Sequence, residues 1–517
     1  MADTAPSPKR RSHLPFWQRA GALGLTGAIV ALGLAPFSWP VLAVPALCAA
    51  LYFGMMADGA RRAAICGGLL GFGYALVALF WIVEPFLVDA AVFGWMAPFA
   101  LFFMAAGFAA FWFLSFALAG RFSSPGTIGR IAALALFWTA GEMLRSMALT
   151  GFPWALLSYI WIETPVYQLA AVIGPHGVTL ITVLAAGLIA NAVVKRRGGV
   201  GLVGASVFAG LFALGAWIST APVLKNETAP IVRLIQPNAD QKLKWDPVMM
   251  PVFFDRQLSL TEEPEDPPPD LVIWPEVAVP FLLNGAPGEL EKIANAAGDA
   301  TAILGGQRLD GALAYNSLAV LTQDGQLDQV YDKQHLVPFG EYLPFGWLLQ
   351  KIGLKAMTAK YGYGYAAGQG PVVLDLGKYG HVLPLICYEG IFPHEVRNTN
   401  IRPDWMLLIT NDAWFGKVSG PFQHLAQAQA RSIELGLPMV RVANTGISAV
   451  IDAHGNIVAA LPQGVPGKLD VALPGRRSET VYAKHGDIPT IFMMIVLLAG
   501  VFFFRSGNKI DPKAGNV

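Results

Sequence analysis

Cysteine is scarce in this chain, and so is charge. The 517 residues include three cysteines, Cys48, Cys66 and Cys387. No two form a CxxC pair and no His/Cys cluster has metal-ligand spacing, which argues against a disulfide framework and a structural zinc. Charged residues make up 14% of the chain, and the formal net charge is +1. With no basic stripe interleaved with aromatics, no nucleic acid partner is expected. Hydrophobic residues, at 54%, are too many for an ordinary soluble protein of this length. The composition therefore predicts a membrane protein.

Eight apolar stretches approach the ~20 residues that a helix needs to cross a bilayer. They are 20–36, 39–56, 63–84, 91–119, 128–148, 166–194, 199–219 and 488–504. Basic residues alternate between successive loops. They occupy the N-terminal tail (Lys9, Arg10, Arg11, Arg19), three later loops (Arg61 and Arg62; Arg121 and Arg130; Lys195, Arg196 and Arg197) and the C-terminal tail (Arg505, Lys509, Lys513). The loops around 36–39 and 84–89 have none. Basic short loops stay cytoplasmic. This pattern predicts a cytoplasmic tail over 1–19, a seven-helix region over 20–219, an outer domain over 220–487, an eighth span over 488–504 and a cytoplasmic tail over 505–517. Glu142 and Arg145, three apart in the fifth span, share a helical face and read as an intrahelical pair or as snorkelling side chains. His176 and Asn191 read as interfacial.

From residue 229 the texture becomes that of one α/β domain. Strands are expected at 231–236, 271–274, 302–305, 383–386 and 405–410, with helices at 247–262, 288–297, 391–398 and 421–435. A hairpin over 316–331 should turn at Asp324-Gly325, and a last one over 440–452 near His454-Gly455. Two apolar insertions, 277–287 and 343–367, would leave exposed patches in need of a partner. Beside membrane spans that partner is the outer leaflet, the alternative being a loop packed on its own domain, and glycines 362, 364 and 368 suit a hinged lid.

Three polar residues follow apolar runs of strand length. Glu276 comes after Leu-Val-Ile-Trp-Pro, Lys333 after Val-Tyr-Asp, and Cys387 after Leu-Pro-Leu-Ile. Strand ends commonly carry chemistry. Taken alone, Cys387 reads as a small buried hydrophobe. Together the three suggest more, because a thiol needs a base to become a nucleophile and a cation to stabilise the anions that follow. A carboxylate in a partly apolar pocket can serve as that base.

The strings WPE at 274–276, YDKQHLVPFGEYLP at 331–344 and ICYE at 386–389 resemble the Glu-Lys-Cys triad of the nitrilase superfamily of carbon-nitrogen hydrolases. With NDAWFG at 411–416 and NTGISA at 444–449, behind seven spans and before an eighth, they resemble the apolipoprotein N-acyltransferase family. The resemblance implies an αββα nitrilase-like sandwich facing the periplasm, carried by a multi-pass helical bundle in the cell inner membrane. It implies Glu276 as general base, Lys333 as oxyanion stabiliser and Cys387 as nucleophile. Glu341 matches a further essential acid, Tyr388 and Glu389 match positions beside the nucleophile with the Tyr388 amide as oxyanion donor, and Trp245 matches a substrate-region tryptophan. His335 reads as a structural hydrogen-bonding residue, and His381 stands too far up the strand to partner Cys387.

The implied reaction passes an acyl chain from a membrane phospholipid through a Cys387 thioester to the α-amino group of a diacylglyceryl-modified apolipoprotein. Neither a metal nor a diffusible cofactor is called for. A membrane-anchored amidase of nitrilase type would share the triad but have no use for apolar lids. A transporter would need the intramembrane charges that are scarce here.

Overall fold

The computed structural model describes residues 16–195, 198–225, 229–344 and 364–507. The expected lid 343–367 falls largely outside them, as do Gly362 and the terminal basic residues Lys9, Arg10, Arg11, Lys509 and Lys513.

The first half is helical: α1 (Phe16–Ala31), α2 (Pro40–Met56), α3 (Gly59–Ala78), α4 (Ala97–Phe122), α5 (Ile128–Met147), α6 (Ala170–Lys195) and α7 (Gly198–Ile218). Each coincides with one of the first seven apolar stretches. Two helical stretches among the described residues, Ala90–Phe122 and Pro165–Ala192, are long and apolar enough by themselves to cross a bilayer. A third qualifies if Gly59–Ala78 and Phe80–Val88, bent by 62°, count as one. Glycine sets the spacing between α1 and α3. A Cβ on Gly73 would lie 1.9 Å from the Gly24 carbonyl oxygen, and one on Gly27 1.9 Å from that of Leu70. Backbones approach this closely only where side chains are absent.

Glu142 and Arg145 do not form the expected intrahelical pair. Both are buried, and both turn to the segment that follows their helix. Glu142 accepts from the Leu157 amide (3.0 Å) and the Thr179 hydroxyl (2.8 Å), and Arg145 donates to the Trp154 carbonyl (2.7 Å). His176 and Asn191 are buried, with His176 between Ser146 (3.3 Å) and Asp487 (3.2 Å). The partners of Glu142, Arg145 and His176 lie on other segments, where a helical wheel cannot reveal them.

The second half carries β1 (Ile231–Gln236), α8 (Met249–Glu262), β2 (Leu271–Ile273), α9 (Pro287–Ala297), β3 (Thr301–Asp310), β4 (Leu313–Leu321) and β5 (Leu327–Asp332). It continues through β6 (Leu374–Asp375), β7 (His381–Ile386), β8 (Trp405–Thr410), α10 (Gly420–Leu435), β9 (Met439–Ala443), β10 (Ser448–Ile451), β11 (Ile457–Leu461) and β12 (Gly467–Ala472), and ends with α11 (Ile488–Gly507). The strands form two six-stranded sheets, ordered β12-β1-β2-β3-β4-β5 and β11-β10-β9-β8-β7-β6. Their apolar runs are continuous because both faces are covered. Ile273, Ile386, Leu407 and Ile409 belong to the core between the sheets, which is continuous with that of the helical half. On the outer faces Val272 and Leu304 pack with α8 and α9, and Leu385, Leu408 and Met439 with α10.

Three expectations are corrected. The insertion 277–287 packs on its own domain, with Val279 and Leu283 in the core beside α9. Of the expected helix 391–398, only Pro393–Val396 is α-helical. The last hairpin is a three-stranded meander followed by β12, which crosses to pair with β1.

Candidate active site

Four strand ends converge, two from each sheet. Beyond β2 stand Trp274, Pro275 and Glu276, with the indole of Trp274 donating to Thr261 (3.0 Å) on α8. Beyond β5 stands Lys333, beyond β7 Cys387, and beyond β8 Asn411. Glu276 is buried and joins the sheets. One carboxylate oxygen accepts from the Asn316 side chain of β4 (2.7 Å) and the other from the Asn411 amide (2.8 Å).

Lys333 is 1% exposed, with its Nζ 2.9 Å from Glu341 and 3.5 Å from Glu276. Burial works against its charge, but the two carboxylates more than offset this and hold its pKa above the ordinary lysine value. Glu341 is itself fixed by the Asn316 amide (3.1 Å) and by the Val337 N–H (2.8 Å). The chain returning from the undescribed segment is clamped here. The Tyr365 N–H donates to the Glu341 carbonyl (2.9 Å), and a Cβ on Gly364 would lie 2.1 Å from that oxygen. One on Gly368 would lie 2.2 Å from the Asp332 carbonyl oxygen. These two glycines permit close approach and are not free hinges.

Cys387 is buried and has φ +52°, a left-handed conformation that costs a non-glycine residue on the order of 1–3 kcal/mol. Val277, next to Glu276, has φ +46°. Burial first, and then the charge of Glu276, push the Cys387 thiol well above the ordinary cysteine range, while Lys333 and a hydrogen bond with the Thr410 side chain pull it down. The resting sulfur therefore keeps its proton, and any attack by it requires a base in the site.

Cys387 opens a short 3-10 turn, Cys387–Ile391, in which Tyr388 is second and Glu389 third. The Tyr388 hydroxyl donates to the Gly151 carbonyl of the helical half (3.4 Å). Glu389 ties the turn to the neighbouring loop, accepting from the Tyr331 hydroxyl (2.7 Å) and from the amides of Gln334 (2.7 Å), His335 (3.3 Å) and Ile386 (2.6 Å). His335 bonds Glu395 (2.8 Å) and stacks on Phe392. His381 lies at the far end of β7 beside Asp404. Trp245 lines a cleft with Lys244, Phe253, Pro275, Val277 and Asn444, on the Glu276 side of the site.

Both halves of the chain match known families. Residues 26–188 match the model of the apolipoprotein N-acyltransferase N-terminal domain, and residues 250–481 that of carbon-nitrogen hydrolase. The apolipoprotein N-acyltransferase of Rhodopseudomonas palustris is 40% identical, with 93% of this chain and 95% of that protein covered. This chain belongs to the apolipoprotein N-acyltransferase family. Family members of the same name from Brucella suis (36% identical; 94% and 95% covered) and Caulobacter vibrioides (38%; 97% and 94%) are similar over comparable lengths. Among solved structures, an amidase from a Nesterenkonia species is 19% identical and covers 51% of this chain and 95% of its own, with a TM-score of 0.36.

The structure adds residues to the site that sequence reasoning missed. Asn316 lies between the two carboxylates, in a strand where nothing marks it. Lys244 donates weakly to the Glu276 carbonyl (3.4 Å), and burial lowers its pKa to about 8. The Asn411 amide and the Asp412 side chain lie within a string noted only for its resemblance. His424, in the middle of a helix, has no local signal.

Proposed function

We propose that the protein moves an acyl chain from a membrane phospholipid, by way of a thioester on Cys387, to the α-amino group of the N-terminal diacylglyceryl-cysteine of apolipoproteins. The observation that carries this reading is the meeting of Glu276, Lys333 and Glu341 at the strand ends beside the strained turn of Cys387, in a chain whose family bears that name. Glu276 takes the thiol proton as sulfur attacks the ester carbonyl. The developing oxyanion faces the Lys333 ammonium and the Tyr388 N–H. Collapse breaks the ester bond, and the lysophospholipid alkoxide leaves with the proton from Glu276. In the second half the acceptor amine attacks the thioester and yields its proton to Glu276. The Cys387 thiolate then departs and recovers that proton, giving ping-pong kinetics. Glu341 and Asn316 hold the charges in place, Glu389 braces the turn, and Trp245 with Lys244 lines the substrate cleft.

Both substrates are lipids, which gives the helical half its purpose. The alternation of basic loops supports eight spans, with both termini cytoplasmic and the domain over 220–487 in the periplasm. The short apolar helices Pro40–Met56, Leu202–Ile218 and Ile488–Val501 fall where that topology needs spans. The test is Cys387→Ala. Incubation with phospholipid should add the mass of one acyl chain to the wild-type Cys387 peptide, and the variant should lose more than about 10³-fold in lipoprotein N-acylation. Persisting N-acylation in the variant would sink the mechanism.

A further inference from the structure

The left-handed turn at Cys387 is held from behind by a buried relay that the mechanism above does not use. The Cys387 carbonyl lies 3.2 Å from Nε2 of His424 on α10. A carbonyl only accepts, so in this contact Nε2 carries a proton. The Nδ1 of the same ring faces Asp412 Oδ1 at 2.9 Å and Arg441 Nη2 at 3.1 Å. It therefore has a partner whether it donates or accepts, and Nε2–H stays aimed at Cys387 in either case. Asp412 in turn accepts from Arg441 (2.6 Å) and from the Thr410 hydroxyl (3.0 Å). His424, Asp412, Arg441 and Thr410 are all at most 1% exposed. The imidazole also stacks on Trp154 of the helical half, with centroids 5.9 Å apart, and Phe415 meets it edge-on. The Trp154 indole donates to Gln423, the residue before His424 (2.7 Å).

We propose that His424 is a positioning residue, which fixes the strained turn through the Cys387 carbonyl and so aims the Tyr388 N–H at the acyl carbonyl. Removing the donor frees the peptide between Cys387 and Tyr388, the group whose orientation sets the oxyanion contact. The thiol and its base are left in place. The proposal rests on Cys387 being the acylated nucleophile.

The test uses the full chain in vesicles of phosphatidylethanolamine and phosphatidylglycerol and compares H424Q with H424N. The glutamine amide reaches the position of Nε2 and keeps a donor there, whereas the asparagine amide reaches only the position of Nδ1. Acyl-adduct formation on Cys387 should stay within about five-fold of wild type in H424Q and slow by about 10²-fold in H424N, as kcat with KM unchanged. Alkylation of Cys387 by iodoacetamide, which expels iodide and develops no oxyanion, should stay within about two-fold of wild type in both. Equal acylation rates in the two variants would overturn the proposal, as would a parallel loss of acylation and alkylation in H424N. Failure of both variants to fold would assign His424 to core packing and overturn it too. Absence of any adduct on wild-type Cys387 would instead refute the nucleophile assignment, and this proposal with it.

Discussion

Glu389 accepts four hydrogen bonds, from Tyr331, Gln334, His335 and Ile386, yet burial still pushes its carboxyl up to about 7 from an ordinary 4.5. Between those values the folded protein holds a proton that the unfolded chain has released. Its contribution to stability is therefore complete below pH 4.5 and is lost as pH rises through 7. The span corresponds to a swing on the order of 3 kcal/mol. Denaturation across this range should show wild type losing stability relative to Glu389→Gln as pH rises, and a gap that does not change with pH would refute the assignment. Lys333 makes a different case, since it sits between two carboxylates. Lys333→Met leaves them facing each other and should cost about 3–5 kcal/mol of stability in addition to activity. Chemical denaturation measures that loss.

The elements are more legible in the sequence than their partners. Strands such as β7 and β8 announce themselves by unbroken apolar runs, because sheets buried on both faces require them. The residues after those runs are therefore visible as candidates. Asn316 and His424 are not, since each works through a contact made by the fold and not by its neighbours in sequence. The insertion 277–287 misleads for a related reason. Its apolar residues fill a gap beside α9, and composition cannot tell a lipid contact from a core contact. The α1–α3 crossing gives a test at this scale. In Gly73→Ala the new methyl would meet the Gly24 backbone at 1.9 Å, which cannot yield as a side chain does. Overpacking of this kind costs about 1–3 kcal/mol. Thermal unfolding of the variant should show the drop, whereas Gly107→Ala, with open space at its Cβ, should not lower the unfolding temperature.

At the scale of the whole molecule, the helical half completes the catalytic half. Besides Trp154 on His424, Tyr167 donates to Glu434 (2.7 Å), and the Arg431 guanidinium bonds both Glu434 (2.6 Å) and the Tyr159 hydroxyl (3.1 Å). Arg431 and Glu434 are fully buried. Residues 220–487 expressed alone would expose that ion pair and the apolar underside of the turn. They should aggregate or fail to bind phospholipid, and a soluble monomer with normal Cys387 acylation would refute this.

The stacking of Trp154 against His424 also has a consequence for biogenesis. The ribosome releases Trp154 before Cys387 and His424 after it, so the turn at Cys387 gains its His424 contact only when α10 is made. A nascent chain that stalls before α10 is made carries a thiol without its backing, and one whose early helices fail to insert lacks the Trp154 face on which His424 stacks. Full support of the turn thus comes only after both the early helices and α10 are made.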